Sequence, residues 1–170
     1  MFKIEKITSH YDAEEDRLRL VVGDGKGQTL ALWLTRRLAD ELIGMLLDQL
    51  PVPGASATDE HVRAALQAWE QAAANAQFKP QPPVPSSAGQ SGGLVTSVDV
   101  MNADGHFAMV FNLHGDQSAS ITMDATRMRQ WLGIVHGLYG KAQWPCEGLW
   151  PDWITGNVLS ATGIGGSILH

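Results

Sequence analysis

Residues 17–50, RLRLVVGDGKGQTLALWLTRRLADELIGMLLDQL, decide how the chain is read. Apolar side chains alternate at Leu18, Leu20 and Val22, the period of a half-buried strand. GDGKGQ (23–28) places three glycines where a hairpin must turn. TLALWL (29–34) alternates again at Leu30, Leu32 and Leu34. Thr35 is an N-cap residue for a helix whose Leu38, Leu42, Met45 and Leu46 recur at helical spacing, and Pro51 and Pro53 stop that helix. Upstream, ITS (7–9) leads through the acidic turn DAEED (12–16), which adds one more strand. Residues 1–50 therefore read as a three-stranded antiparallel meander followed by a helix.

The same order recurs after residue 93. VTS (95–97) leads through NADG (102–105) into HFAMVFNL, where Phe107, Met109 and Phe111 alternate. HGDQ (114–117) turns the chain into SASITM, with Ala119, Ile121 and Met123 alternating. Asp124 takes the cap position before ATRMRQWLGIVHGLYGK. A shift of 89 residues sets Leu18 on Phe107, Leu20 on Met109, Val22 on Phe111, Thr35 on Asp124 and Leu42 on Trp131, without a gap from residue 16 to about residue 50. One insertion in the preceding turn is needed to match ITS with VTS. The expected fold is α+β: two tandem repeats, each a three-stranded antiparallel meander plus a helix, packed with pseudo-twofold symmetry. A single such unit leaves a sheet face uncovered, so the two would bury their apolar faces together.

Between the units, TDEHVRAALQAWEQAAANAQF (58–78) predicts an extra helix with Val62, Leu66, Trp69 and Ala73 as its apolar stripe. KPQPPVPSSAGQSGG (79–93) predicts an extended linker, because four prolines and a Ser/Gly end suit neither a helix nor an interior strand. The domain reading is 1–78 for the first unit with the extra helix, 79–93 for the linker, and 94–170 for the second unit with a tryptophan-rich tail.

Composition narrows the function. The chain has 170 residues and a formal charge of −6, which argues against nucleic acid or an anionic membrane as a bulk electrostatic partner. No window approaches a membrane span, the start lacks a signal peptide's apolar run, and one cysteine makes no internal disulfide, so a cytoplasmic location is expected. Charge is uneven: residues 1–50 carry seven Lys/Arg and nine Asp/Glu, whereas 94–170 carry three and six. A charge-poor half calls for cover, from the other half, a second copy or another protein.

Single residues offer little chemistry. Cys146 has an acidic, aromatic neighbourhood that does not stabilise a thiolate. His10, His61, His106, His114, His136 and His170 show no metal-ligand spacing, and the cluster Asp12, Glu14, Glu15, Asp16 lacks the pattern of a calcium loop. GDGKGQ is followed by a strand, so it is no phosphate loop. Arg17, Arg19, Lys26, Arg36 and Arg37 are the only basic concentration, and Arg127, Arg129 and Lys141 do not complete a groove for single-stranded nucleic acid. No catalytic residues, metal or cofactor are assigned. WPCEGLWPDW (144–153) holds Trp144, Trp150 and Trp153 and reads as aromatic cover, either over the chain's own core or as an interaction surface. The leading expectation is a non-catalytic protein-binding or assembly module, acting as a homo-oligomer or adaptor. A small-molecule binder or enzyme with a pocket between the two units is the alternative, and a single-stranded nucleic-acid binder is a weaker one.

Overall fold

The computed structural model describes residues 1–52, 59–86 and 90–157. Its strands are β1 (Phe2–Lys3), β2 (Lys6–Asp12), β3 (Arg17–Gly23), β4 (Thr29–Leu34), β5 (Gly92–Ala103), β6 (His106–Leu113) and β7 (Ser118–Asp124). The helices are α1 (Arg36–Gln49), α2 (Glu60–Gln77) and α3 (Ala125–Ala142), and a 3₁₀ turn spans Asp152–Thr155. The fold is thus α+β, with one seven-stranded sheet in the order β1-β7-β6-β5-β4-β3-β2.

The hairpins form as their sequences dictate. Asp24 holds the first loop, its Oδ1 accepting from the backbone N–H groups of Lys26 (2.9 Å) and Gln28 (2.8 Å). In β3–β4, Leu18 pairs with Leu34 and Leu20 with Leu32; in β6–β7, Phe107 pairs with Met123 and Met109 with Ile121. The turn between β2 and β3 is two residues longer than that between β5 and β6, since Asp12 pairs with Arg17 but Ala103 pairs with His106. A single insertion is therefore not enough. Asp104 and Gly105 make the shorter turn with φ of 51° and 74°, the left-handed pair a two-residue hairpin requires.

Two parallel junctions shape the sheet. β4 runs parallel to β5, with Ala31 opposite Gly92, and β1 runs parallel to β7, with Lys3 opposite Ser120. Only Ile4 and Glu5 separate β1 from β2, at the other end of the order. Ile4 N–H donates to Ser120 O at 2.8 Å and Glu5 N–H to Gly23 O at 2.9 Å. Two residues span only about 7–10 Å, so both ends of the sheet meet here and the sheet curls back on itself. α3 accordingly contacts β2 as well as β6 and β7, and α1 contacts β3 and β5.

The inner face carries Leu18, Leu20, Val22, Leu32, Leu34, Phe107, Met109 and Phe111, all no more than 2% exposed. They form one core with Leu42, Ile43 and Leu46 of α1 and with Met128, Leu132 and Val135 of α3. Thr35 Oγ1 caps α1 by accepting from Leu38 N, and Asp124 Oδ1 caps α3 by accepting from Arg127 N. Met45 is not in this core: it is 42% exposed, and Ile43 takes the buried place instead.

β5 begins two residues inside the stretch read as linker. Gly92 lies against Ala31 so closely that a methyl group there would sit 2.0 Å from the Ala31 carbonyl oxygen. Residues 79–86 run without regular structure across the sheet, yet Val84 is buried, its N–H donates to Thr8 Oγ1 at 2.9 Å, and Ser86 Oγ accepts from Arg19 at 2.8 Å. Residues 87–89 of the stretch lie outside the described ones. Gly92→Ala should therefore lose about 3 kcal/mol or more in chemical denaturation, because backbone must move. Gly93→Ala, which meets only the Leu113 side chain at 3.2 Å, should lose under about 1 kcal/mol.

Candidate functional site

α3 ends with Gln143 in the left-handed conformation, and the chain turns back across the helix it has just left. Tyr139, fully buried, is the centre around which this return packs. Trp144 and Trp150 meet it edge-on, with ring centroids 5.1 and 5.2 Å away. Its hydroxyl donates to Asp40 Oδ1 of α1 at 2.6 Å, tying the two helices. Burial, and then the hydrogen bond to Asp40, raise the Tyr139 pKa beyond any physiological range. Trp144 Nε1 donates to Asp16 Oδ1 at 2.8 Å, and Tyr11 OH donates to the same oxygen at 2.8 Å. These two bonds lower the Asp16 carboxyl pKa. The acidic turn is thus built for structure: Asp12 Oδ1 accepts from Glu14 and Glu15 N–H, and Asp16 holds the tail.

The three tail tryptophans part company here. Trp144 and Trp150 are 6% and 8% exposed and cover the chain's own core. Trp153 is half-buried and lies under the Arg129 guanidinium, 5.6 Å from its ring centroid. Cys146 is half-buried and its thiol donates to Trp144 O at 3.7 Å. His136 stands 5.1 Å from the Trp150 ring, and its burial lowers its pKa from 6.5. Among the described residues no three His, Cys, Asp or Glu side chains come together as metal ligands; His170 lies outside them.

Two surfaces remain. The first is a groove of about 430 Å³ between β2 and α3, where the two units meet. Ile7, Met123, Trp131, Ile134 and Phe78 give it apolar walls, and Lys6, Lys79 and Arg127 stand on its rim. Trp131 Nε1 donates to Ser9 Oγ at 3.1 Å across it.

The second is the outer face of α2, and it overturns the expected stripe. The residues α2 buries are Gln67, Ala68, Gln71 and Ala74, not Val62, Leu66, Trp69 and Ala73. Gln71 Nε2 donates to Arg129 O at 3.0 Å and Gln130 Nε2 to Ala74 O at 2.8 Å, so α2 and α3 are joined by amide side chains. Arg129, 3% exposed, donates to Gln67 Oε1 and to Pro51 O at 3.1 Å. Apolar periodicity could not find this face, because its hydrogen-bonded partners on α3 are polar and the Asp152–Thr155 turn that also packs on α2 comes from far along the chain. Trp69 is left 59% exposed and Val62 46%, Ala73 is exposed and Leu66 half-buried. At four-three-four spacing these lie along one line of the helix, opposite the buried side.

No protein-family model, curated protein or solved structure matches the chain. No helix among the described residues is long and apolar enough to cross a membrane.

Trp150→Ala should cost about 3–5 kcal/mol in equilibrium unfolding, against about 1 kcal/mol for Trp153→Ala. His136 adds a pH signature. The fold favours its neutral ring, so the unfolded chain takes up the proton first and stability falls as pH drops below 6.5. The loss ends once pH passes the depressed folded value. Thermal midpoints measured from about pH 7.5 to pH 5 should show this slope in the parent and a flatter one in His136→Gln.

Proposed function

We propose that this chain is a non-catalytic protein-binding and assembly module that works through the outer face of α2. The observation that carries the reading is the inversion of that helix. An ordinary surface helix buries its apolar stripe and offers polar residues to water. α2 buries two glutamines against Arg129 and turns Val62, Leu66 and Trp69 outward. Scattered exposed apolar residues need no explanation, but a continuous line including a tryptophan marks a contact surface. Trp153 lies instead toward the buried side of α2, in a cleft with Arg63 and Gln67. A second reading, a small-molecule pocket between the units, is favoured by the groove between β2 and α3 with Trp131 in its wall.

We also propose that the two strand-helix units are duplicates related by a pseudo-twofold axis. Three features support this. The hairpin pairings repeat at a shift of 89, Leu18–Leu34 becoming Phe107–Met123. Both parallel junctions obey the same shift, Gly92–Ala31 answering Lys3–Ser120. The groove lined by Ile7, Gln130, Trp131 and Ile134 has a counterpart lined by Thr96, Glu41, Leu42 and Met45.

A photo-cross-linking residue placed at Trp69 in cells should yield an adduct whose two peptides are identified by mass spectrometry. The same residue at Lys26, in an exposed turn on another surface, should yield none. Equal, unselective labelling at both positions, or no adduct at Trp69, would sink the reading.

A further inference from the structure

We propose that the occupant of the α2 face is a second copy of this chain, docked as an antiparallel helix pair. The proposal rests on the binding-module reading and names its partner. Val62, Leu66, Trp69 and Ala73 follow four-three-four spacing, about 3.7 residues apart on average, so they keep to one line of a straight helix along which a second helix can lie. Ala65 and Ala76 flank the line and are small enough for a second helix to approach, whereas Ala72 is already met by the chain's own Gly156.

Charge settles the direction. A twofold axis that sets Leu66 against the partner's Trp69 also sets Val62 against the partner's Ala73. Arg63 and Glu70 each follow a seam residue, on the same flank of the helix. In the antiparallel arrangement Arg63 then lies beside the partner's Glu70, and the pair occurs twice. A parallel pair would set Glu70 against the partner's Ala65, with no ion pair. Arg63 and Glu70 are both exposed, and neither belongs to an ion pair within 4 Å among the described residues. Glu70 also acts electrostatically on the buried Arg129, so a partner's Arg63 would share that carboxylate with it. Four layers of seam bury on the order of 1,000 Å² in total, the low end for a specific interface, so dissociation in the micromolar range is expected.

Sedimentation velocity on the full chain tests this over about 1–100 µM. The parent should pass from monomer to dimer, and added salt should shift the midpoint upward. Leu66→Asp should be monomeric throughout. Arg63→Glu puts like charges together twice and should weaken the dimer about tenfold, while Arg63→Glu with Glu70→Arg should return it to within about threefold of the parent. Thermal melting checks that each variant is folded, which matters for Glu70→Arg because burial lowers the Arg129 pKa and the Glu70 charge partly offsets that. A parent that stays monomeric, or a dimer indifferent to Leu66→Asp, overturns the proposal. So does a folded double variant without recovery. An adduct joining position 69 to a different protein would overturn the second copy and leave the binding-module reading standing; absence of any adduct would remove both.

Discussion

The parallel pairing of Gly92 with Ala31, and of Lys3 with Ser120, is the constraint on which the rest of the structure depends. Each three-stranded meander alone would be a small sheet with one wet apolar face. Joined at two parallel seams, the meanders curl until β1 and β2, consecutive in the chain, stand at opposite ends of the strand order. That curl turns Leu18, Leu20, Phe107 and Met109 toward α1 and α3. It also brings the helices close enough for Tyr139 to reach Asp40. The tail then closes over Tyr139, with Trp144 anchored to the acidic turn of the first unit. The junction demands glycine because backbone meets backbone there, and no side-chain rearrangement can relieve a methyl group 2.0 Å from a carbonyl.

What was legible in the sequence, and what was not, divides along a physical line. Period-two alternation with caps at Thr35 and Asp124 identified both hairpins and their helices, because these features act within a few residues. The β5 start at Gly92 was hidden, since Gly-Gly after a proline-rich stretch has the composition of a linker and its pairing partner is about sixty residues away. Met45 and the α2 stripe misled for one reason. Periodicity says which residues share a face but not whether that face looks inward. For α2 the decision was made by Gln67, Gln71 and Arg129, whose hydrogen bonds with α3 and the chain beyond α1 are long-range and polar. Asp16 belongs to the same class: it reads as one more acid in a turn, yet it receives the Trp144 indole from the far end of the chain.

The polar packing of α2 has a consequence for function. Arg129 loses water on burial, and its carbonyl and amide partners must all be in place for the helix to dock. Such an arrangement specifies orientation more strictly than an oily face would, since an apolar helix can roll about its axis and a hydrogen-bonded one cannot. The orientation it specifies is the one that presents Leu66 and Trp69 to solvent. A helix held rigidly with its apolar side outward is pre-organised for a partner and loses little freedom on binding.

The distance between two copies of one spin label tests the assembly most directly. Gln77, exposed at the end of α2, can carry the label as Gln77→Cys in a Cys146→Ser background. Pulsed dipolar spectroscopy of the dimer should then give a single narrow distance of roughly 30 Å, because an antiparallel pair sends the two helix ends apart at 1.5 Å per residue. A distance under about 20 Å would mean a parallel pair, and the absence of any dipolar modulation would mean that α2 does not bring two copies together.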